Sequence, residues 1–205
     1  AMLVPLLRRT ERNRLGLLYR LPLSTTGRTF LRIRLLDYTL WWWHWINHRV
    51  PFFWRFHLPH HVDLDLDAST AVRFHFGEMS LSVLYRMLQV RVLGISELSM
   101  SLWQLLLMPS IFFHHSNIEL SPEQDRILSR LIVTPRMHGI HHSDYQGETD
   151  SNWSSLLSWW DFLHHTFRED IPQEAVRIGV PAYQSQDDVT LPRVLAMPFT
   201  SQRDD

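Results

Sequence analysis

The segments Trp41–His48 (WWWHWINH) and Trp54–His61 (WRFHLPHH) place five histidines within eighteen residues of a 205-residue chain. The first segment carries an HxxxH pattern and the second an HxxHH pattern, both set among aromatic residues. A third segment, His138–His142 (HGIHH), repeats the HxxHH pattern far downstream. Because imidazole is a common metal ligand, these three clusters make metal binding the first hypothesis to weigh.

The spacing within each cluster suits a helix that presents its histidines on one side. His44 and His48 are four residues apart, so on a helix they lie on the same face, one turn apart. The three histidines of an HxxHH pattern fall within an arc of roughly 100° on a helix. Together the clusters supply eight imidazoles, which is too many for one ion and suits two ions. His115 and His75 are the candidates to complete the two shells.

A single histidine is usually an ordinary core or surface residue that forms hydrogen bonds. His114, His164 and His165 are interpreted in this way because no matching pattern surrounds them. The joint pattern of three clusters is different, since it seldom arises by chance. The tryptophans of the first segment are interpreted as core or interface residues rather than as substrate-stacking groups.

The donor atoms limit which metal ions are expected. The chain contains no cysteine, so nitrogen and oxygen must supply every ligand. A site built from imidazoles favours iron, zinc or copper over magnesium or calcium. Asp37 precedes His44 by two helical turns and is predicted to orient an imidazole. Asp63, Asp144 and Asp150 are further candidates for that role.

The charged residues are unevenly distributed although the net charge is only −1. All 20 basic residues are arginines, and eight of them lie before residue 35, opposed only by Glu11. A basic lead of this kind is typical of contact with nucleic acid or with an anionic membrane surface. The tryptophans that follow favour the membrane. A coding bias toward arginine, combined with a solvated face, is the alternative explanation.

The sequence predicts an all-α protein, a helical bundle with a histidine-lined two-metal core and an apolar hairpin. A helix is expected from just after Ser24 to about His48, followed by a short helix or turn that is distorted by Pro59. Residues 79–118 predict two apolar arms that separate at Gly94. Because both arms carry polar or charged residues, we expect the hairpin to enter one membrane leaflet or to pack on other helices.

Three further segments are predicted downstream of the hairpin. Ser121 and Pro122 predict the start of a helix that runs to about Ile132. Thr134 and Pro135 predict the start of the helix that carries the third histidine cluster. Residues 156–167 are predicted to be helical, and the tail from Pro172 is predicted to pack as extended segments.

The sequence resembles the fatty acid hydroxylase/sterol desaturase superfamily, in particular its bacterial sterol desaturase family members. The resemblance covers about residues 20–200 and includes the order HxxxH, HxxHH and distal HxxHH. Members usually have two more membrane helices before the HxxxH segment, where this sequence has its arginine-rich lead. The other matching motifs are Leu36–Tyr38, Trp54–His57, Thr70–His75, His115–Ile118, Val133–Pro135, His141–Ser143, Thr149–Asn152 and Leu157–Asp161.

The resemblance implies a ligand set and a group of residues around it. His115 is expected to join the eight cluster histidines. His75 stands where the family usually has His-Pro-x-Glu and is the weaker candidate. The expected metal ligands are His44, His48, His57, His60, His61, His75, His115, His138, His141 and His142. The residues expected around them are Asp37, Asn117, Asp150 and Asn152.

The function implied by the resemblance is that of a non-haem di-iron oxidoreductase of lipid biosynthesis. Such a membrane oxygenase uses dioxygen to hydroxylate or desaturate a C–H bond of a sterol, hopanoid, fatty acyl chain or related lipid. The expected cofactors are two iron ions, with zinc as the alternative in the isolated protein. The expected partners are the lipid, dioxygen, the membrane and an external electron donor (a ferredoxin, a cytochrome b5-like protein or a reductase), but not nucleic acid. The expected location is the bacterial inner membrane, with the active site on the cytoplasmic side.

Two other functions stay open at this point. One is a two-zinc hydrolase, although such sites normally include carboxylates and no Asp or Glu lies inside any cluster. The other is a non-catalytic metal-binding protein descended from the oxygenases. The expected division of the chain is an arginine-rich lead (1–28), a di-metal domain (29–168) and a C-terminal tail packed on that domain (169–205).

Overall fold

The computed structural model describes residues 2–203, and these residues form a helical bundle. No strand occurs in this range, where Ser143 and Ile178 form an isolated β-bridge. The all-α prediction is therefore confirmed. The α-helices of the described range are α1 Leu3–Arg12, α2 Thr25–Arg49, α3 Pro51–His61, α4 Phe76–Gln89, α5 Glu97–His114, α6 Pro122–Leu128, α7 Pro135–His141, α8 Gln146–Thr149, α9 Trp159–His164 and α10 Leu191–Ala196.

Helix α2 is the long central element and begins where the sequence predicts. The Ser24 hydroxyl accepts a hydrogen bond from the Gly27 N–H at 3.1 Å, which satisfies one of the free donors at the helix start. Pro51 cannot donate a backbone hydrogen bond, so α2 ends before it, and Pro51 becomes the first residue of α3. Helix α3 is a full helix that contains Pro59, longer than the short distorted segment predicted from the sequence.

The apolar region forms the predicted hairpin. Helix α4 continues into a π-helical segment, Val90–Gly94. Helix α5 then starts at Glu97, with Ser96 as its N-cap. The turn is fixed against the N-terminal lead by two glycines. Gly94 and Gly16 both have positive φ, and a Cβ on Gly94 would lie 2.5 Å from the Leu15 carbonyl oxygen. Only glycine fits this crossing without displacing backbone.

The downstream helices are present but shorter than predicted. Helix α6 has the predicted capping box, in which Ser121 and Gln124 exchange side chain to backbone hydrogen bonds, yet it ends at Leu128. Helix α7 begins at Pro135 with Thr134 as its N-cap. The tail contains short 3-10 turns and α10 rather than only extended segments.

Two apolar clusters hold the bundle together. The larger cluster joins α1, α2, the π-helical segment and α5 and includes Leu36, Trp103 and Leu107. The smaller cluster packs the C-terminal tail against α3, with Leu58 as its most buried α3 residue. Among the helices that carry the histidine clusters, α2 packs against α3 and α5, and α7 packs against α5.

Within residues 2–203, no helix is both long enough and apolar enough to cross a bilayer. The hairpin helices nevertheless expose many large apolar side chains. On α4 these include Leu84 and Leu88, and on α5 they include Leu98, Leu105 and Leu106.

Replacing Gly94 with alanine should destabilise the protein by at least about 1–3 kcal/mol, because the new Cβ forces a strained φ and a backbone clash. Gly27→Ala in the first turn of α2 is the control and should change the free energy of unfolding by less than about 1 kcal/mol. Denaturant unfolding measures both values. Equal stability of the two variants would contradict the close crossing.

Candidate metal centre

The structure gathers nine histidines into two neighbouring groups inside the bundle. Within each group, one ring nitrogen of every histidine lies within 4.8 Å of those of the others. His61 and His142 belong to different groups, and their rings stack with centroids 4.2 Å apart. The five-histidine group is His44, His48, His57, His61 and His141, and the four-histidine group is His60, His115, His138 and His142.

Each HxxHH cluster is divided between the two groups. Both histidines of α2 belong to the five-histidine group, as do His57 and His61 of α3, which are four residues apart and share a face. His60 points to the other group. In the same way, His141 contributes to the five-histidine group, whereas His138 and His142 contribute to the four-histidine group. The HxxHH spacing therefore serves two sites at once.

Hydrogen bonds at Nδ1 set the tautomer of two histidines in the five-histidine group. The Trp153 carbonyl oxygen lies 2.8 Å from His44 Nδ1, and the Ser151 carbonyl oxygen lies 2.9 Å from His141 Nδ1. Because a carbonyl oxygen only accepts hydrogen bonds, both rings carry their proton on Nδ1. The lone pair on Nε2 is then free, which is the arrangement typical of metal-binding histidines.

A third hydrogen bond at Nδ1, formed by His57, uses a buried carboxylate. Glu78 on α4 places Oε1 2.9 Å from His57 Nδ1, and both side chains are almost fully buried. A carboxylate behind an imidazole fixes the ring and increases its basicity toward a metal. The ring nitrogens of this group that are buried and have no hydrogen-bond partner are Nε2 of His48, His57, His61 and His141.

The four-histidine group brings its Nε2 atoms even closer together. His138 Nε2 lies 3.0 Å from His115 Nε2 and 3.1 Å from His142 Nε2, and His115 Nε2 lies 3.4 Å from His60 Nε2. An imidazole nitrogen has one in-plane position, which holds either a proton or a lone pair. His138 Nε2 therefore cannot hydrogen-bond to both of its neighbours. A shared cation satisfies all four nitrogens, since ligands about 2.0–2.1 Å from one ion are separated by roughly 3 Å.

Burial keeps eight of these imidazoles neutral. Burial lowers the pKa of His141 to about 3 and that of His115 to about 4. Six further histidines have pKa values well below the ordinary value, first because burial disfavours the cation and second because neighbouring histidines repel it. These six are His44, His48, His60, His61, His138 and His142. Neutral imidazoles with free lone pairs fit two ions such as iron, zinc or copper.

A buried carboxylate that the sequence analysis does not identify supports the five-histidine group. Asp161 accepts hydrogen bonds from Trp41 Nε1 at 2.9 Å, from the Trp153 N–H at 2.9 Å and from the Ser154 N–H at 3.0 Å. It thereby fixes the backbone whose carbonyl oxygen holds His44. Its place in the Leu157–Asp161 motif is a sequence signal for this residue, but no local pattern indicates its hydrogen-bond partners.

Asp37 does not orient a histidine, contrary to the sequence-based expectation. Its Oδ2 accepts hydrogen bonds from Trp160 Nε1 at 2.6 Å and from the Leu157 N–H at 3.2 Å. The side chain lies on the part of α2 that faces residues 157–160. Burial raises the pKa of Asp37 to about 7, and these hydrogen bonds oppose the increase only in part.

The other three residues expected around the ligands have different positions. Asn152, buried and at positive φ, donates to the Met137 carbonyl oxygen and so holds the residue before His138. Asp150 forms an ion pair with Arg49 at 3.2 Å. Asn117 is exposed and is not among the residues that contact the histidine groups.

The structure separates His75 from the other predicted ligands. Its Nδ1 accepts a hydrogen bond from the Gly77 N–H at 2.9 Å and so caps α4, and its Nε2 lies 3.2 Å from the Leu195 carbonyl oxygen. Both ring nitrogens are therefore used by backbone groups. His75 belongs to neither histidine group.

His114 is closer to the centre than its interpretation as an ordinary histidine suggests. It is buried, its ring centroid lies 4.1 Å from that of His138, and its Nδ1 has no hydrogen-bond partner. His164, by contrast, stacks on Trp41 with ring centroids 4.0 Å apart and contacts the Tyr38 hydroxyl. His164 therefore agrees with its interpretation as an ordinary core or surface residue.

Two openings of different character reach the histidines. An apolar cavity of about 380 Å³ exposes members of both groups, including His57 and His138, and its wall includes Trp43 and Phe74. A polar depression of about 250 Å³ reaches His48 and His61 from another direction, and Asp150 lies on its edge. The histidines are therefore reached through one opening lined mainly by apolar residues and one lined mainly by polar residues.

His142→Asn and His75→Asn should differ in the number of bound metal ions. His142→Asn removes a converging Nε2 and should weaken the affinity for one ion at least about tenfold. His75→Asn should keep both ions, because asparagine also caps a helix start. Elemental analysis of desalted protein after loading with Fe(II) measures this difference. Equal losses in both variants would contradict the assignment.

Asp37→Asn should become more stable relative to the wild type as the pH increases. The unfolded chain ionises Asp37 near 3.8, whereas the folded chain holds the proton to about 7. The stability that protonated Asp37 provides is therefore lost as the pH rises through that range. Melting temperatures of the two metal-loaded proteins between about pH 5 and about pH 8 measure the difference. A difference that does not depend on pH would contradict the buried, protonated carboxyl.

Comparison with known proteins agrees with this centre. The model of the fatty acid hydroxylase family matches residues 29–166. An ornithine lipid hydroxylase from Rhizobium tropici is 27% identical over 151 residues, which cover 73% of this chain and 44% of the relative. Alkylglycerol monooxygenases from Xenopus tropicalis and Homo sapiens are 26% and 25% identical, and the matches cover 32% and 33% of their lengths.

The chain thus spans less than half the length of these curated relatives. No solved structure matches it. The family match covers most of the chain and includes all nine histidines of the two groups. The chain belongs to the fatty acid hydroxylase family, within the fatty acid hydroxylase/sterol desaturase superfamily.

Proposed function

We propose that this protein is a di-iron, dioxygen-dependent oxygenase that hydroxylates or desaturates a C–H bond of a membrane lipid. The observation that carries the proposal is the contact between the two imidazole groups and one apolar cavity. His44 and His57 of the five-histidine group and His60, His115 and His138 of the other group all line it. A hydrocarbon chain in the cavity would lie against both metal sites.

The two groups contain no carboxylate, and this composition supports oxygenase chemistry over hydrolysis. Hydrolytic two-metal sites normally use bridging carboxylates to hold a metal-bound hydroxide. Here the carboxylate that contacts the five-histidine group is Glu78, which acts on Nδ1 of His57 rather than on the ligand side of the ring. Two irons bound to these histidines would supply dioxygen activation and the removal of hydrogen from an unactivated C–H bond.

The protein's own residues perform binding, orientation and exclusion of water. Trp153 holds His44 through its carbonyl oxygen, and Glu78 holds His57, so two ligands are fixed before any substrate binds. Trp43, Phe74 and Leu107 form apolar walls of the cavity. Such walls exclude water and protect a reactive oxidant from side reactions.

The apolar surface of α4 and α5 supports association with a membrane surface. Met79 and Met108 line the cavity and are also about half exposed, at 50% and 45%. The cavity therefore meets the outside among the exposed apolar residues of both helices. Since contiguous exposed apolar surface marks a membrane or partner contact, we infer that lipid chains enter here from one leaflet.

The relatives support a lipid as the substrate. They are named as hydroxylases or monooxygenases of an ornithine lipid and of alkylglycerols. Sterol, hopanoid and fatty acyl substrates stay within the proposal, because the cavity is apolar and selects no ring or chain by itself. Hydroxylation consumes dioxygen and two electrons. We assign the supply of these electrons to an external donor such as a ferredoxin, a cytochrome b5-like protein or a reductase. The proposed location is the cytoplasmic face of a bacterial inner membrane.

The direct test supplies Fe(II)-loaded protein with a chemical reductant, bacterial lipid extract and isotopically heavy dioxygen. The expected result, read by mass spectrometry, is a lipid that gains labelled oxygen or loses two hydrogens, and His142→Asn should abolish this product while His75→Asn keeps it. Zinc-loaded protein that releases fatty acid from esters without dioxygen would favour a hydrolase. Bound metal without any lipid product would favour a non-catalytic protein.

A further inference from the structure

One charged side chain in the apolar cavity has no counter-charge. Arg86, on α4, lines the cavity that reaches the histidines. Its guanidinium carbon lies 4.2 Å from the centre of the Trp103 ring, in a cation–π arrangement. Among residues 2–203 it takes part in no ion pair within 4 Å, and its enclosed Nη1 atom has no hydrogen-bond partner.

The lack of an ionisable partner distinguishes Arg86 from Glu78, the carboxylate that lines the same cavity. The Oε1 atom of Glu78 contacts His57, and Glu78 forms no ion pair with Arg86 within 4 Å. Burial lowers the pKa of Arg86 to about 10, so the guanidinium remains protonated at neutral pH. A partly buried cation without a partner is costly, and an incoming anion would offset that cost.

We propose that Arg86 binds the oxyanion of the substrate lipid, a carboxylate or a phosphate, and so selects amphipathic lipids that carry a negative group near the oxidised chain. This inference rests on the proposed function for the identity of the cavity as the substrate site. A guanidinium is suited to the role because it can donate two parallel hydrogen bonds to either oxyanion.

The position of Arg86 also fixes a distance. Eight residues separate it from Glu78, which contacts the metal-binding His57, and both lie on α4. At 1.5 Å per residue the two Cα atoms are about 12 Å apart along the helix axis. An anion held by Arg86 therefore leaves a stretch of hydrocarbon chain between itself and the histidines, and oxidation falls at a restricted set of carbons.

The test measures binding rather than turnover, using the zinc-loaded full chain and cis-parinaric acid, a fluorescent fatty acid, beside its uncharged methyl ester. The wild type should bind the acid at least about tenfold more tightly than the ester, as expected for a hydrogen-bonded charge. Arg86→Met should remove this preference, and Arg86→Lys should keep part of it. Arg91→Met, which removes an exposed arginine just beyond α4, should leave the preference unchanged.

Competition identifies the form of the anion. Dodecanoate or dodecyl phosphate should displace the probe more effectively than dodecanol, whereas inorganic phosphate alone should leave it bound. Displacement by inorganic phosphate would overturn the assignment to a lipid. A preference for the acid that persists in both Arg86 variants, or its absence in the wild type, would overturn the role of Arg86.

The outcome is separate from that of the oxygenase proposal. An acid preference that depends on Arg86 in a protein that oxidises no lipid would support the anion site and refute the oxygenase. Should Arg86→Met fail to fold, Arg86→Lys decides the question: a lowered melting temperature with an unchanged ratio of acid to ester affinity would reduce Arg86 to packing on Trp103.

Discussion

The structure depends on the burial of nine imidazoles that face one another. In the four-histidine group three contacts between Nε2 atoms measure 3.0, 3.1 and 3.4 Å, and no distribution of protons can turn all three into hydrogen bonds. Without a cation this arrangement leaves lone pairs in repulsive contact inside a bundle that excludes water. With one ion in each group, the same contacts become ligand-to-ligand distances. Metal binding at these groups would therefore be coupled to folding of the centre.

The rest of the fold keeps these rings in place. Asp161 joins α2 to the segment that contains Trp153, and the Trp153 carbonyl oxygen then fixes His44. Glu78 connects the apolar hairpin to His57. The hairpin thus also holds a candidate metal ligand. The apolar cavity and the candidate metal centre share His57 and Glu78, so α4 contacts both of them.

Much of the centre follows from sequence because helical spacing is local. The HxxxH and HxxHH patterns specify which faces of α2, α3 and α7 carry imidazoles, and the structure brings all eight of these residues, with His115, into the two groups. The division of each HxxHH cluster between two sites depends on how the helices cross, which no local pattern specifies. Local pattern also fails for His75. One of its ring nitrogens bonds the nearby Gly77 N–H, and the other lies against the carbonyl oxygen of Leu195, which is far away in the sequence. Asp37 is a similar case, because its partners lie 120 and 123 residues away.

The most direct test of the central claim is the position of the metal ions themselves. A crystal structure of the iron-loaded protein, with anomalous scattering recorded at the iron edge, measures this. The account predicts two iron peaks, one among His44, His48, His57, His61 and His141 and one among His60, His115, His138 and His142, with bonds to nitrogen of about 2.0–2.2 Å. A single peak, or a peak bound by His75 in place of either group, would contradict it.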